Sequence, residues 1–309
     1  MRLCRFTHND QTHAGFYFDD SVISLAAAAE LTGQPAPECD RLESMLTGGA
    51  DRAAIVALQT ALADVSADQT DGKKLSTNNV QLLVPNPNPS KLLLLAGNYA
   101  KHIEEGGARA EERAKTFPYV FMKPLTALTN PGGPIRIPAV SPDHVDWELE
   151  LGVIIGQRCK DATEENAIDF VGGYTVINDV SDRKFKPNPG RNERDKDGFF
   201  DWLHGKWHDT FCPMGPCVLP ADECPDPQNL HMTLSVNESV QQDGSTSEMV
   251  FPVAAIVQFI SSFVTLEPGD IISTGTTAGV GAAKNKFLKA GDQITAEIAS
   301  IGVLRNPVV

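Results

Sequence analysis

The chain has 309 residues, 41% of them hydrophobic, enough to bury a sizeable core in one large domain with a smaller one beside it. Its 40 acidic residues against 26 lysines and arginines give a formal charge of −14. That balance excludes nucleic acid, because a duplex-binding surface replaces counterions with basic side chains, and the expected partner is a small molecule. No apolar run approaches the ~20 residues of a membrane-spanning helix. The N-terminus lacks the apolar core and cleavage site of a secretory signal, and the six cysteines are too sparse for a disulfide scaffold. A cytoplasmic protein with reduced thiols is expected.

Residues 1 to 80 read as a small N-terminal α/β domain. Arg2 to Phe6 and Gly15 to Phe18 carry strand patterns around a polar turn. Ala26 to Leu31, Cys39 to Leu46 and Asp51 to Val65 follow with helical periodicity, the last capped by Asp51. No chemistry stands out there. The polar run Ser66 to Asn79 and the stiff connector Pro85-Asn-Pro-Asn-Pro89 put a boundary near residue 85, with a catalytic domain expected over 85 to 309.

Beyond the connector the pattern is mainly strand. Lys91 to Ala96, Tyr119 to Met122, Glu148 to Ile155, Gly173 to Asn178, Met232 to Val236, Asp270 to Thr274 and Gln293 to Ile298 are short apolar or alternating runs bounded by Gly, Pro and Asp. One clear helix interrupts them, where Val253, Ile256, Val257, Ile260, Phe263 and Val264 recur at helical spacing and Pro252 suits a first-turn position. The expected class is α+β, mainly β with some helix.

The first stretch with chemistry runs from Ala96 through Gly97 into a helix. His102 and Glu105 lie three apart and share a helical face, where a carboxylate orients an imidazole and raises its basicity as a general base; a solvated helix start would look the same. In VDWELELGVIIG (Val145 to Gly156), strand alternation puts Asp146, Glu148 and Glu150 on one side of a segment that then becomes apolar on both faces. Either that acidic face is wet, or the carboxylates are buried around a hard divalent cation. Gly173 to Val180 is apolar until Asn178 and Asp179, so Asp179 can complete a trio of oxygen donors with open positions on Mg2+ or Mn2+; a turn after a strand is the alternative.

Cations accompany these acids. Lys123 ends an apolar strand, Arg183 lies four residues beyond Asp179, and Lys206 falls in the run Trp202 to Trp207, an arrangement suited to an anionic substrate or a developing oxyanion. The charged segment Pro187 to Gly205 has the length of a lid or rim, while its Phe199-Phe200-Asp201-Trp202 run could equally be ordinary packing. Cys212, Cys217 and Cys224 cluster among prolines without C-x2-C spacing, so packed thiols are expected rather than zinc.

Taken together, Gly97-Asn-Tyr-Ala-x-His-x-x-Glu105, Phe121-x-Lys-Pro124, Asp146-x-Glu-x-Glu-Leu151, Gly173-Tyr-Thr-Val-x-Asn-Asp-Val-Ser181, Gly205-Lys-x-x-Asp-Thr-Phe-Cys-Pro-Met-Gly-Pro216 and Glu267-Pro-Gly-Asp-Ile-Ile-Ser-Thr-Gly-Thr276 resemble the fumarylacetoacetate hydrolase family over about residues 85 to 305. The resemblance implies a mixed β-sandwich roll, usually a homodimer, with Mg2+ or Mn2+ (Ca2+ being compatible) on Glu148, Glu150 and Asp179. It implies His102 and Glu105 as the catalytic pair on a mobile helix, Lys206 on the oxyanion side, and Arg183 and Thr276 towards substrate. Departures are Asp182-Arg183-Lys184 for Ala-Arg-Asp, Lys186 for a substrate-contacting Gln, Thr277 for Pro, and Asn237-Glu238 for Asn-Gly.

The expected activity is hydrolysis of a carbon–carbon bond in an acylpyruvate, a small anionic 2-oxo acid. Lys123, Arg183 and Thr276 would bind the substrate, while water is activated by His102 and Glu105 and the oxyanion is met by Lys206. The alternatives are a 2-oxo acid decarboxylase, keto–enol isomerase or dehydratase on the same metal, or a metal-binding protein without catalysis.

Overall fold

The computed structural model describes residues 1–38 and 40–309. Its framework is a mixed sheet in which the apolar runs take the interior. Leu149–Ile155 is buried along its whole length and pairs antiparallel with Val171–Asn178 on one side and Ile271–Thr276 on the other. Ile271–Thr276 pairs parallel with Leu92–Ala96, which pairs antiparallel with the edge strand Tyr119–Met122. On the other flank Val171–Asn178 meets Cys212–Pro220, and this strand touches Arg2–His8 through Leu3↔Val218. The sheet therefore runs on into the hairpin of Arg2–His8 and Gln11–Tyr17. A second sheet of four strands, Ser239–Ser245, His231–Val236, Gln293–Ile298 and Gly302–Pro307, packs its apolar side chains into the same core as the centre of the first. The result is an α+β architecture, mostly sheet.

Most expected elements form, with ends that move by one to four residues. The helix over Val253–Phe263 is present, but Pro252 stands at its N-cap rather than in its first turn, and Gln228 Oε1 accepts the Val253 N–H at 2.7 Å. The expected helix from Cys39 shortens to Leu42–Met45, and Cys39 itself lies outside the described residues. The helix expected from Asp51 spans Arg52–Ala63, with Asp51 as the N-cap residue.

Cys212–Pro220 was not expected as a strand, because Pro lacks the N–H that a ladder needs. It forms because the ladder is broken where Pro216 falls, between Val176↔Gly215 and Tyr174↔Leu219, so no sheet bond is asked of that residue. Thr175 Oγ1 fills the gap by donating to the Cys217 carbonyl at 2.8 Å. Cys212 and Cys217 are buried within this strand and Cys224 lies beyond it, and among the described residues no metal-ligating group includes them. None of the described helices is long and apolar enough to cross a membrane.

Candidate metal centre and active site

A bulge shapes the centre. Between Glu150 and Gly152 the register against Ile271–Thr276 shifts, so Glu150 faces Thr276 while Gly152 faces Ser273. Ser273 Oγ and the Gly275 N–H donate to Glu150 Oε2 at 2.6 and 2.8 Å. Glu150 Oε1 is buried and has no hydrogen-bond partner among the described residues. Asp179 follows the strand Val171–Asn178, and its N–H donates to the Glu148 carbonyl at 2.8 Å while Asn178 Oδ1 accepts the Glu148 N–H at 2.9 Å. One oxygen from each of Glu148, Glu150 and Asp179 then lies within 4.8 Å of the others, and all three residues are buried. The acidic face is not wet.

Asp146 is buried too, but it belongs to a different task. It accepts from the N–H groups of Trp147, Gly281 and Ala282 at 2.8, 2.7 and 3.0 Å, and from Arg183 Nε at 2.8 Å. Asp146 thus anchors Arg183, whose Nη2 reaches Glu148 Oε1 at 2.5 Å. Lys206 Nζ donates to Glu148 Oε2, Asp179 Oδ2 and Ser181 Oγ at 2.8, 2.6 and 2.9 Å. Lys123 Nζ stands 2.5 Å from Asp179 Oδ1 and donates to the carbonyls of Val180 and Phe211.

The electrostatics divide the two glutamates. Burial works to raise the Glu148 carboxyl, but Arg183 and Lys206 outweigh it and hold the group well below the ordinary range. Glu150 is pushed well above its ordinary value by burial and by the charges of Asp179 and Glu148. Burial would lower Lys206, yet Asp179 and Glu148 raise it, so its ammonium persists inside the protein.

His102 and Glu105 lie on the helix Ala100–Glu105, with His102 Nδ1 2.8 Å from Glu105 Oε1. Glu105 Oε2 accepts the Gly279 N–H at 2.8 Å, which ties this helix to the loop after Ile271–Thr276. Gly279 lies three residues beyond Thr276, the partner of Glu150 in the sheet, so the pair stands at the strand end that carries the carboxylates. Thr276 sits at the same strand end; its hydroxyl donates to the Leu149 carbonyl and accepts from Gln242 Nε2, both at 2.8 Å.

Gln242 is fully buried on Ser239–Ser245 and escaped the sequence reading. Its Oε1 accepts the Leu149 N–H at 2.9 Å and its Nε2 also donates to the Thr277 carbonyl at 2.9 Å, clamping the two strands that hold Glu150. A glutamine after a surface hairpin carries no signal of such a role. Lys186 lies outside the cluster, 3.6 Å from Glu193 on the surface.

Three buried carboxylates with an orphaned oxygen form a hard, oxygen-only donor set, and this cluster could hold a divalent metal. Comparison with known proteins gives the arrangement a family. Residues 91–309 match the model of the fumarylacetoacetate (FAA) hydrolase C-terminal domain. A mitochondrial oxaloacetate tautomerase of Xenopus laevis is 40% identical over 315 residues, covering 100% of this chain and 90% of the relative. The 2,4-didehydro-3-deoxy-L-rhamnonate hydrolase of a Sphingomonas strain is 39% identical over 228 residues, 73% of this chain and 75% of the relative. Among solved structures, maleylpyruvate hydrolase from Sphingobium sp. SYK-6, in complex with manganese(II) and pyruvate, superposes with a TM-score of 0.74 at 30% identity, covering 100% of this chain and 99% of that one. With matches of this extent in sequence and in fold, the chain belongs to the fumarylacetoacetate hydrolase family.

Proposed function

We propose that this protein is a divalent-metal-dependent hydrolase that cleaves the carbon–carbon bond of an acylpyruvate. The observation that carries the reading is the His102–Glu105 pair, joined at 2.8 Å and fastened through Gly279 beside the buried carboxylate trio. A merely structural ion has no need of an oriented base next to it. Glu148, Glu150 and Asp179 would hold Mg2+ or Mn2+, which supplies electrophilic charge for the 2-oxo acid end of the substrate.

The rest belongs to the chain's own side chains. Glu105 fixes the ring so that the free nitrogen of His102 takes a proton from water, and the hydroxide adds to the distal carbonyl. Lys206, whose ammonium here lies among Glu148, Asp179 and Ser181, donates to the oxyanion that results. The carbon–carbon bond then breaks, its electron pair passes to the pyruvate enolate, and the proton on His102 returns to that carbon. Arg183 and Thr276 border the carboxylate end of the substrate, and Lys123 acts on it through Asp179. The products are a carboxylic acid and pyruvate.

A second reading is favoured by the similarity to an oxaloacetate tautomerase over the whole chain. In it, His102 moves a proton between carbon and oxygen of a 2-oxo acid without water attack. Protein loaded with Mg2+ or Mn2+ separates the two when acylpyruvates and oxaloacetate enol are followed by near-ultraviolet absorbance together with enzymatic detection of pyruvate. Hydrolysis consumes the acylpyruvate enol and releases one pyruvate per turnover. Loss of enol absorbance without pyruvate would replace the hydrolase by the tautomerase, and no change with any substrate would remove both.

A further inference from the structure

A cavity of about 640 Å³ opens next to the carboxylate cluster, with Gly97, Phe117, Tyr119, Phe121, Phe199 and Trp202 in its wall and no charged side chain among the described lining residues. Its inner wall is shared with the polar centre. Phe121 and Trp202 meet edge to face with centroids 5.0 Å apart, and the Lys206 ammonium lies 5.3 Å from the first ring and 5.7 Å from the second. Two rings of the cavity wall therefore also neighbour the group assigned to the oxyanion.

The strand order brings the cavity to the same end of the sheet as the ligands. Leu92–Ala96 runs parallel to Ile271–Thr276, with Ser273 opposite Leu94, and Thr276 is opposite Glu150. Gly97, at φ +63°, turns the chain out of that strand into the segment bearing His102, and a Cβ on Gly275 would stand 2.9 Å from Asn98 Cβ. The base, the ligand strands and the cavity mouth thus converge.

Resting on the 2-oxo acid reading above, we propose that this cavity receives the distal acyl group of the substrate, and that this group is an uncharged alkyl or aryl chain rather than a second carboxylate. The walls place no cation against a carboxylate and, among the described lining residues, offer only the Tyr119 hydroxyl and the Trp202 indole N–H as polar side-chain groups, too little to offset the water a second carboxylate would lose. An apolar chain gains from the same walls. The volume lies within the ~300–1,000 Å³ range of small-molecule pockets. Phe117, Tyr119 and Phe199 are 57%, 64% and 56% exposed, so apolar surface at the mouth is open for such a chain to cover.

The test uses oxamates, in which an amide stands in for the cleavable ketone, titrated calorimetrically into Mg2+-loaded and Mn2+-loaded protein. Oxamate, N-butyl-, N-hexyl- and N-benzyl-oxamate and N-(3-carboxypropyl)oxamate form the series. The expected result is binding by oxamate, tightening about three- to fourfold per buried methylene along the alkyl series. The carboxypropyl compound should fall well below N-butyl-oxamate. Trp202→Ala should shrink the increment per methylene, and Phe117→Ser, at an exposed site that folding tolerates, should do so to a smaller degree.

If oxamate binds but the alkyl series is flat, or the carboxypropyl compound binds best, the apolar acyl site is overturned while the 2-oxo acid site stands. Failure of oxamate itself to bind overturns the 2-oxo acid reading and the acyl site with it. An increment unchanged in both variants places the gain elsewhere and overturns the proposal. So does hydrogen exchange showing residues 117–122 already covered by a second copy of the chain before ligand is added.

Discussion

Glu150 is the side chain on which the pH behaviour of the ion-free centre turns. Its carboxyl is raised by burial and by two neighbouring carboxylates, so between its unfolded and folded values the native state binds a proton that the unfolded chain does not. That contribution is complete below the unfolded value and is lost as pH rises through the folded one. Protein stripped with a chelator should accordingly melt at lower temperature as pH rises over that window, and Glu150→Gln should flatten the dependence in differential scanning calorimetry. Mn2+ binding should release a proton from wild type, seen as a buffer-dependent heat, and a smaller fraction of one from the variant. Glu105→Gln keeps an acceptor for Gly279 but removes the charge that orients His102; kcat should fall about 10²-fold or more with ion binding retained. Gln242→Leu strands the Leu149 N–H, and chemical denaturation should show a loss of about 1–3 kcal/mol. The spacing of His102 and Glu105 and the alternation of Glu148 and Glu150 made these groups readable from the chain alone, because the members of each pair lie only three or two residues apart, the first on one helix turn and the second at the entrance of one strand. Gln242, Ser273 and the shared anchoring of Arg183 by Asp146 depend on register between segments far apart in sequence, which periodicity does not encode.

Among the elements, the loop after Ile271–Thr276 couples scaffold to chemistry. Gly279 holds φ +105°, and a Cβ there would stand 2.2 Å from the Gln241 carbonyl oxygen. Gly279→Ala must therefore move the loop whose N–H fastens Glu105. The expected outcome is a stability loss of about 1–3 kcal/mol and a drop in kcat with Mn2+ affinity close to wild type, measured by thermal melting, steady-state kinetics and calorimetry. The same contrast between local and distant information explains which elements were foreseen. Tyr119–Met122 and Gln293–Ile298 match the sequence pattern end to end, since hydrophobic alternation and flanking turn residues define them. Cys212–Pro220 was hidden by its prolines, and only the interrupted ladder opposite Thr175 makes it a strand. The segment read as a lid or rim contains the helix Asp197–Gly205, with Arg191 bound to Asp197 and Asp201 at 2.9 and 2.5 Å. Of its aromatic run, Trp202 packs on Phe121 while Phe199 and Phe200 remain exposed.

Across the molecule, residues 1 to 80 and the chain beyond 85 share a sheet and a core. Leu3, Phe16 and Leu58 pack in one cluster with Ile154, Ile177, Met214 and Ile271, and Arg52 joins Asp222 and Glu223 at 2.7 and 2.8 Å. A fragment spanning 85 to 309 would expose the edge of Cys212–Pro220 and that apolar surface. It should melt below the full chain and aggregate, as light scattering during a thermal ramp would show. The buried cations of the centre carry a consequence for how its ligands arrive. In formal charge, the carboxylates of Asp146, Glu148, Glu150 and Asp179 outnumber the cations Lys123, Arg183 and Lys206 by one, so the ion-free pocket is one charge negative. A divalent ion turns that formal balance one charge positive, and an anionic ligand restores neutrality. Metal and anion are therefore reciprocal effectors: whatever factor oxalate adds to Mn2+ affinity, Mn2+ must add to oxalate affinity, so each is retained best when the other is present.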